Sequence, residues 1–304
     1  MTFPAPNDGV VSLQYGDFTV YSLAMLNYYA TGQTNPPSGT DPYYLPSGPG
    51  HLSDFIVVAT GANHSNAAFA NTDNPLDTSI GGSTTSFWTG TGTEPGNTFA
   101  GDNNGTWDIS VETLRNYLDG GKLFFGFNLN ESGGGQSATG DQIDALAWGK
   151  VTLTGPGGEV SFIFDGTNAN PIIESQTLFD NGDGIDWGHI HGEICVAGSG
   201  DPQLLHLGAC TGADEGGVTI KQNLGADRTA FALTNDELND LIYSGSFEFM
   251  RIELGLEDMS NGYEQLFIFG VGGGSTSVPE PAAVGLLGLG ALGIAAARRR
   301  KRAA

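Results

Sequence analysis

Apolar residues in this chain gather in short runs, separated by stretches rich in glycine, proline, asparagine and serine. The runs at 16–27, 54–60, 122–129, 144–153, 159–164, 190–196, 204–207, 247–255 and 265–271 read as β-strands. Between them, segments such as TGQTNPPSGTDPYYLPSGPG and GTGTEPGNTFAGDNNGT have the composition of turns and long loops. VYSLAMLNYYA, at 20–30, is apolar almost throughout and reads as part of a strand. Two segments follow a helical period instead. ISVETLRNYLDGG offers Ser110 as an N-cap and Gly120 as a stop. LTNDELNDLIYSG offers Thr234 as N-cap with Glu237 three residues on, and Leu238, Leu241 and Ile242 make one apolar face. Asn261-Gly262, between FEFMRIELGLEDM and YEQLFIFGV, predicts a hairpin turn. No repeat of 20–50 residues is present. The pattern predicts an all-β protein: an antiparallel β-sandwich, jelly-roll-like, with one or two short helices. Residues 1–271 are expected to form one domain, with a division near ESGGGQSATG as the alternative.

Composition supports that class. Glycine and proline supply 62 of 304 residues, an excess that favours turns over helical bundles. Charge is divided sharply. The whole chain carries −23; five basic residues and Glu280 give the end of the chain +4, leaving −27 on residues 1–278. Such a surface repels nucleic acid and anionic lipid, which excludes nucleic acid as a partner. Cys195 and Cys210 are the only cysteines. In an exported chain an even pair favours a disulfide, worth roughly 3 kcal/mol for a loop of this size; two buried thiols are the alternative.

The end of the chain, SVPEPAAVGLLGLGALGIAAARRRKRAA, changes the picture most. A Gly/Ser/Thr linker at 272–277 leads into Val278, Pro279, Glu280 and Pro281, and an apolar run at 282–297 leads into five basic residues. That run has 16 residues, four of them glycine. As a helix it reaches about 24 Å, against a hydrocarbon core of about 30 Å. The basic cluster belongs on the cytoplasmic side, which puts residues 1–278 outside. These parts, in this order, resemble the PEP-CTERM sorting tail of Gram-negative bacteria. The resemblance implies that 278–304 is a sorting tail recognised by an exosortase, a membrane cysteine transpeptidase. It implies that 282–297 sits in the inner membrane only transiently. It also implies delivery to the cell surface or to an exopolysaccharide matrix, the setting of biofilms. Pro279, Glu280 and Pro281 are then sorting residues, not catalytic ones. Proteins with such tails begin with an export signal. MTFPAPNDGVV has neither a basic lead nor an apolar core, so the natural start is expected upstream.

Candidate chemistry concentrates in FDNGDGIDWGHIHGEICV, at 179–196. Asp180, Asn181, Asp183 and Asp186 alternate with glycines, a spacing that suits a hard cation such as Ca²⁺ or a capped acidic turn. It is similar to the Asp-rich calcium repeats of thrombospondin-type proteins. Trp187, His189, His191, Glu193 and Cys195 then fall at every second position. On a strand all five would share a face, and His189, His191 and Glu193 could hold Zn²⁺ with one position open. An exposed polar strand face is the alternative. The order His-Ile-His-Gly resembles the core of CHRD-type domains, small secreted β domains. His206, Asp214 and Glu215 are near enough in sequence to join such a site.

Templates for common enzymes are missing: there is no GxSxG, Walker loop or HExxH, and no GxGxxG after a strand. Trp88, Trp107, Tyr43 and Tyr44 lie in loop-rich segments, where aromatic rings either stack on sugars or anchor loops. The residues therefore favour an exported, non-enzymatic surface or matrix protein that binds polysaccharide or a divalent cation. The alternatives are a secreted metal-dependent hydrolase using His189, His191 and Glu193, and an adhesive component with no small-molecule site.

Overall fold

The computed structural model describes residues 1–5, 12–47, 56–59, 107–131, 144–167, 177–180, 184–198, 204–225, 227–257 and 264–273. The sorting residues 278–281, the apolar run and Trp88 lie outside them. Among the described residues no helix is long and apolar enough to cross a membrane.

Among the described residues, fifteen strands form three antiparallel sheets. The first has the order β1 (Ser12–Tyr15), β2 (Phe18–Ser22), β13 (Phe231–Thr234), β5 (Lys122–Phe127), β15 (Gln265–Val271), β3 (Ile56–Ala59). The second has the order β4 (Trp107–Ser110), β14 (Phe249–Glu257), β6 (Ala145–Gly155), β9 (Trp187–Ile190), β8 (Leu178–Phe179). The long β6 divides one edge between two partners. Its first residues pair with β9, and 149–155 pair with β7 (Gly158–Phe164). A small third sheet places β10 (Glu193–Ala197) between β11 (Leu204–Leu207) and β12 (Gly217–Lys221).

The first two sheets share one core, which makes them a sandwich. Phe18, Val20, Phe125, Phe127, Leu233, Leu266 and Ile268 come from the first sheet. Ala147, Val151, Leu153, Phe162, Ile252 and Leu254 come from the second. Side chains alternate along a strand, so a strand with apolar residues at every position has two greasy faces. KLFFGF and QLFIFGV are such strands. Their other face builds a second cluster of Tyr21, Phe124, Phe267 and Phe269, covered by Leu23, Leu26, Leu45 and the amino-terminal Phe3. Phe3 stacks on Phe124 at 4.6 Å.

Leu23 and Leu26 come from α1 (Leu23–Thr31), which replaces the second half of the strand expected at 16–27. That run instead turns at Gly16, whose φ is +54, forms β2, and then starts a helix. Ser22 caps it by accepting from the Met25 N–H at 3.2 Å, and Gly32 ends it in the left-handed region. Leu, Ala and Met favour helix, but the element is buried nearly all round and lacks the polar stripe that betrays a helix in sequence.

The other two described helices sit close to where the sequence puts them. Ser110 caps α2 (Val111–Leu118) through the Thr113 N–H at 3.1 Å. The cap of α3 (Asp236–Tyr243) is Asn235, one residue beyond the expected Thr234. The Thr234 hydroxyl is committed to the Leu123 carbonyl at 3.0 Å, while Asn235 accepts from Leu238 N–H at 2.7 Å. The turn expected at Asn261-Gly262 lies outside the described residues, but the strands on either side, β14 and β15, lie in different sheets and do not pair as a hairpin. Each already has two strand partners, β4 and β6 for one and β5 and β3 for the other.

Gly126 of β5 faces Phe267 of β15 across the ladder, and a Cβ at 126 would strike the Phe267 ring. Gly126→Ala should therefore destabilise the fold by about 1–3 kcal/mol, the usual cost of overpacking. Urea unfolding checks this; an unchanged midpoint would show that the ring moves aside freely.

Candidate functional site

The pairing of β6 with β9 places Ala145 opposite Ile190 and Leu146 opposite His189. One step further, the residue before β6, Asp144, comes level with His191. Asp144 is only 2% exposed. Its Oδ2 lies 2.7 Å from His189 Nε2 and 3.1 Å from His191 Nδ1, and its Oδ1 accepts from the Gly192 N–H at 2.8 Å. The two imidazole centroids are 3.8 Å apart, and Phe179 meets His189 edge-on at 6.0 Å.

Neighbouring strands hold the backbone under these rings. The Tyr15 hydroxyl donates to the His189 carbonyl at 2.9 Å. Gln222 Nε2 donates to the His191 carbonyl at 2.9 Å. The Gly192 carbonyl accepts from Gln222 N–H at 2.7 Å and Asn223 N–H at 3.0 Å. All three sheets thus contribute to one small region. Beside His191, Met25, Leu207 and Gln222 border a cavity of about 40 Å³.

Burial alone would raise the Asp144 carboxyl. The hydrogen bonds from His189, His191 and Gly192, with the charge of His191, outweigh it and hold the group well below the ordinary carboxylate range. Asp144 is thus an anion held inside the protein by these donors. Tyr15 is shifted the other way, above its ordinary value, by burial and then by the Asp144 charge. Two imidazole nitrogens and a carboxylate oxygen, all within 4.8 Å of one another, make a donor set suited to a borderline transition metal.

The structure regroups the residues singled out in the sequence. His189 and His191 stay together, but Glu193 does not join them. The strand expected at 190–196 breaks at His191-Gly192, where Gly192 spends both its N–H and its carbonyl on other segments. Glu193 restarts as the first residue of β10, opposite Lys221 in the third sheet. The common face of five alternating side chains is lost with that break. Trp187 is fully buried. Cys195 is joined to Cys210 by a disulfide. His206 lies with Asp214 rather than with the other histidines, and Glu215 is exposed on the same loop. Asp180 and Asp186 are exposed, while Asn181 and Asp183 lie outside the described residues. Tyr43 packs on Phe3 at 6.4 Å and donates its hydroxyl to the Thr2 carbonyl.

Asp144 escaped the sequence reading. It is 45 residues from His189, and only strand register brings them together. Its one local signal is an acid set directly before the apolar strand ALAWGKVTLTG.

The His206–Asp214 pair has its own electrostatics. The hydrogen bond to Asp214, then that to the Leu207 carbonyl, raises His206 above its ordinary value. Donation from the Thr211 N–H, then from His206, lowers Asp214 to about 2.

Among protein-family models, that of a domain of unknown function, DUF8239, matches residues 1–255. The PEP-CTERM protein-sorting motif matches residues 277–301. This motif marks an exported protein that an exosortase sorts and that is transiently anchored in the membrane. No curated protein and no solved structure matches the chain.

The charged pair predicts a pH window. The raised His206 contributes stability that is present below about pH 6.5 and lost as pH rises through its higher folded value. The lowered Asp214 contributes stability that is present above about pH 4 and lost as pH falls through about 2. His206→Gln should therefore cost most stability between about pH 4 and 6.5 and less on either side. Urea titrations of both proteins at pH 3, 5 and 9, with the disulfide intact, check this. A pH-independent difference would contradict it.

Proposed function

The chain belongs to the DUF8239 family, and we propose that it works outside the cell as a divalent-cation-binding surface or matrix protein, with Asp144, His189 and His191 as its ligands. The observation that carries this reading is the convergence of three ligand atoms within 4.8 Å at a largely buried point. Two of the three donors are imidazoles, which favours Zn²⁺ and its neighbours over Ca²⁺, whose ligands are oxygens. A bound cation would also offset the buried negative charge of Asp144.

The place of action follows from the sorting tail and the charge. An exosortase substrate carrying −27 on residues 1–278 suits the cell surface or exopolysaccharide matrix of a Gram-negative bacterium. Acidic polysaccharide and an acidic protein repel one another, and a shared divalent cation is the simplest bridge between them. Binding rather than hydrolysis is the reading the geometry favours. Glu193, the carboxylate that a hydrolytic site at 189–193 would use, heads a different sheet.

The protein recovered from the outer fraction of its host tests both halves. Its intact mass should lack the basic cluster 298–302, and a chain still ending there would contradict processing. Titration should show about one Zn²⁺ per chain, with a gain of roughly 2.7 kcal/mol in stability at a hundredfold excess over Kd. His189→Ala, His191→Ala and Asp144→Ala should each abolish that gain. A wild-type protein whose melting does not respond to Zn²⁺ would contradict the metal reading.

A further inference from the structure

The disulfide lies beside a charged pair that a simple cross-link does not need. Cys195 is buried in β10, and Cys210 is half-buried in the loop between β11 and β12. His206 is the cross-strand neighbour of Cys195. The Cys195 sulfur, a ring nitrogen of His206 and a carboxylate oxygen of Asp214 lie within 4.8 Å of one another.

Both nitrogens of His206 point at acceptors. Nδ1 is 3.0 Å from the Leu207 carbonyl, and Nε2 is 3.1 Å from Asp214 Oδ2. A carbonyl and an ionised carboxylate only accept, so a ring that serves both carries two protons and a positive charge. Asp214 is itself fixed by the Thr211 N–H at 2.6 Å and the Thr211 hydroxyl at 2.9 Å. Gly217 of β12 completes the setting: a Cβ there would come within 3.0 Å of the Cys210 sulfur.

We propose that Cys195–Cys210 is an exchange-competent disulfide that oxidises thiols outside the cell, with Cys210 as the attacked sulfur and Cys195 as the leaving thiolate beside the His206 imidazolium. A partner's thiolate attacks Sγ of Cys210. The Cys195–Cys210 bond breaks, its electron pair leaves on Cys195, and a mixed disulfide to Cys210 forms. A second thiolate of the partner then attacks the partner sulfur in that mixed disulfide and releases Cys210 as a thiolate, which takes a proton from water. The partner's two thiols end as a disulfide, and the two cysteines end reduced. The fixed cation assists by stabilising the departing thiolate, which speeds departure and favours the reduced form.

Reduction of the full chain in dithiothreitol, quenched by alkylation and read by mass, tests this. The rate should rise in proportion to dithiothreitol, without a ceiling at the rate of unfolding. His206→Gln should slow reduction about tenfold and shift the exchange equilibrium about tenfold towards the disulfide, roughly 30 mV for this two-electron couple. His206→Lys, which keeps the charge, should restore most of both. Mere loosening of the fold works in the opposite direction, since it speeds reduction. A rate that plateaus at the unfolding rate overturns the proposal, as does an equilibrium unchanged in His206→Gln. If His206→Gln does not fold, the wild-type concentration dependence decides alone.

Discussion

The buried carboxylate of Asp144 constrains the rest of the structure. An anion taken out of water must be paired and hydrogen-bonded or it will not stay charged. Here the partners are two imidazoles and a backbone N–H, supplied by His189, His191 and Gly192. The carboxylate and the rings meet only if β6 and β9 keep their register, since a slip of one residue turns every side chain to the opposite face. The chain must then leave the second sheet after Ile190 and begin the third at Glu193, with the break at His191-Gly192 between them. A site that depends on one register and one break is built by the sandwich as a whole.

That sandwich is unusual in greasing both faces of its first sheet. One face meets the second sheet, and the other is covered by α1 and by Phe3. Tyr15 links this packing to the site, because its ring stacks on Phe164 at 5.3 Å while its hydroxyl holds the His189 carbonyl. The third sheet adds Gln222 from beyond β12 and carries the disulfide with its charged neighbours. The sorting motif, the candidate cation site and the disulfide thus fall on separate parts of one chain.

Much of the fold is legible in the sequence because strand alternation and turn composition are local. The strands at 204–207 and 265–271 have the bounds expected of them, and Ser110 caps its helix as its spacing implies. What is not local is harder to read. LAMLNYYAT hides its helical period because it is buried nearly all round. Asn261-Gly262 suggests a hairpin, but partner choice among strands decides which sheet each joins. GVTIK and FALT form strands too short for their own pattern to distinguish them from loops. The candidate site shows the same division. His189 and His191 stand out by their spacing, whereas Asp144 is brought in by register and Glu193 is carried off by a glycine. Local spacing points to the two candidate histidines, and only strand register brings Asp144 to them.

A crystal structure of the exported protein grown with Zn²⁺, with anomalous diffraction recorded at the zinc edge, tests the central claim most directly. The account predicts one strong peak about 2.0–2.2 Å from ligand atoms of Asp144, His189 and His191. Density showing His189 Nε2 still hydrogen-bonded to Asp144 Oδ2, with no anomalous peak between them and His191, would contradict it.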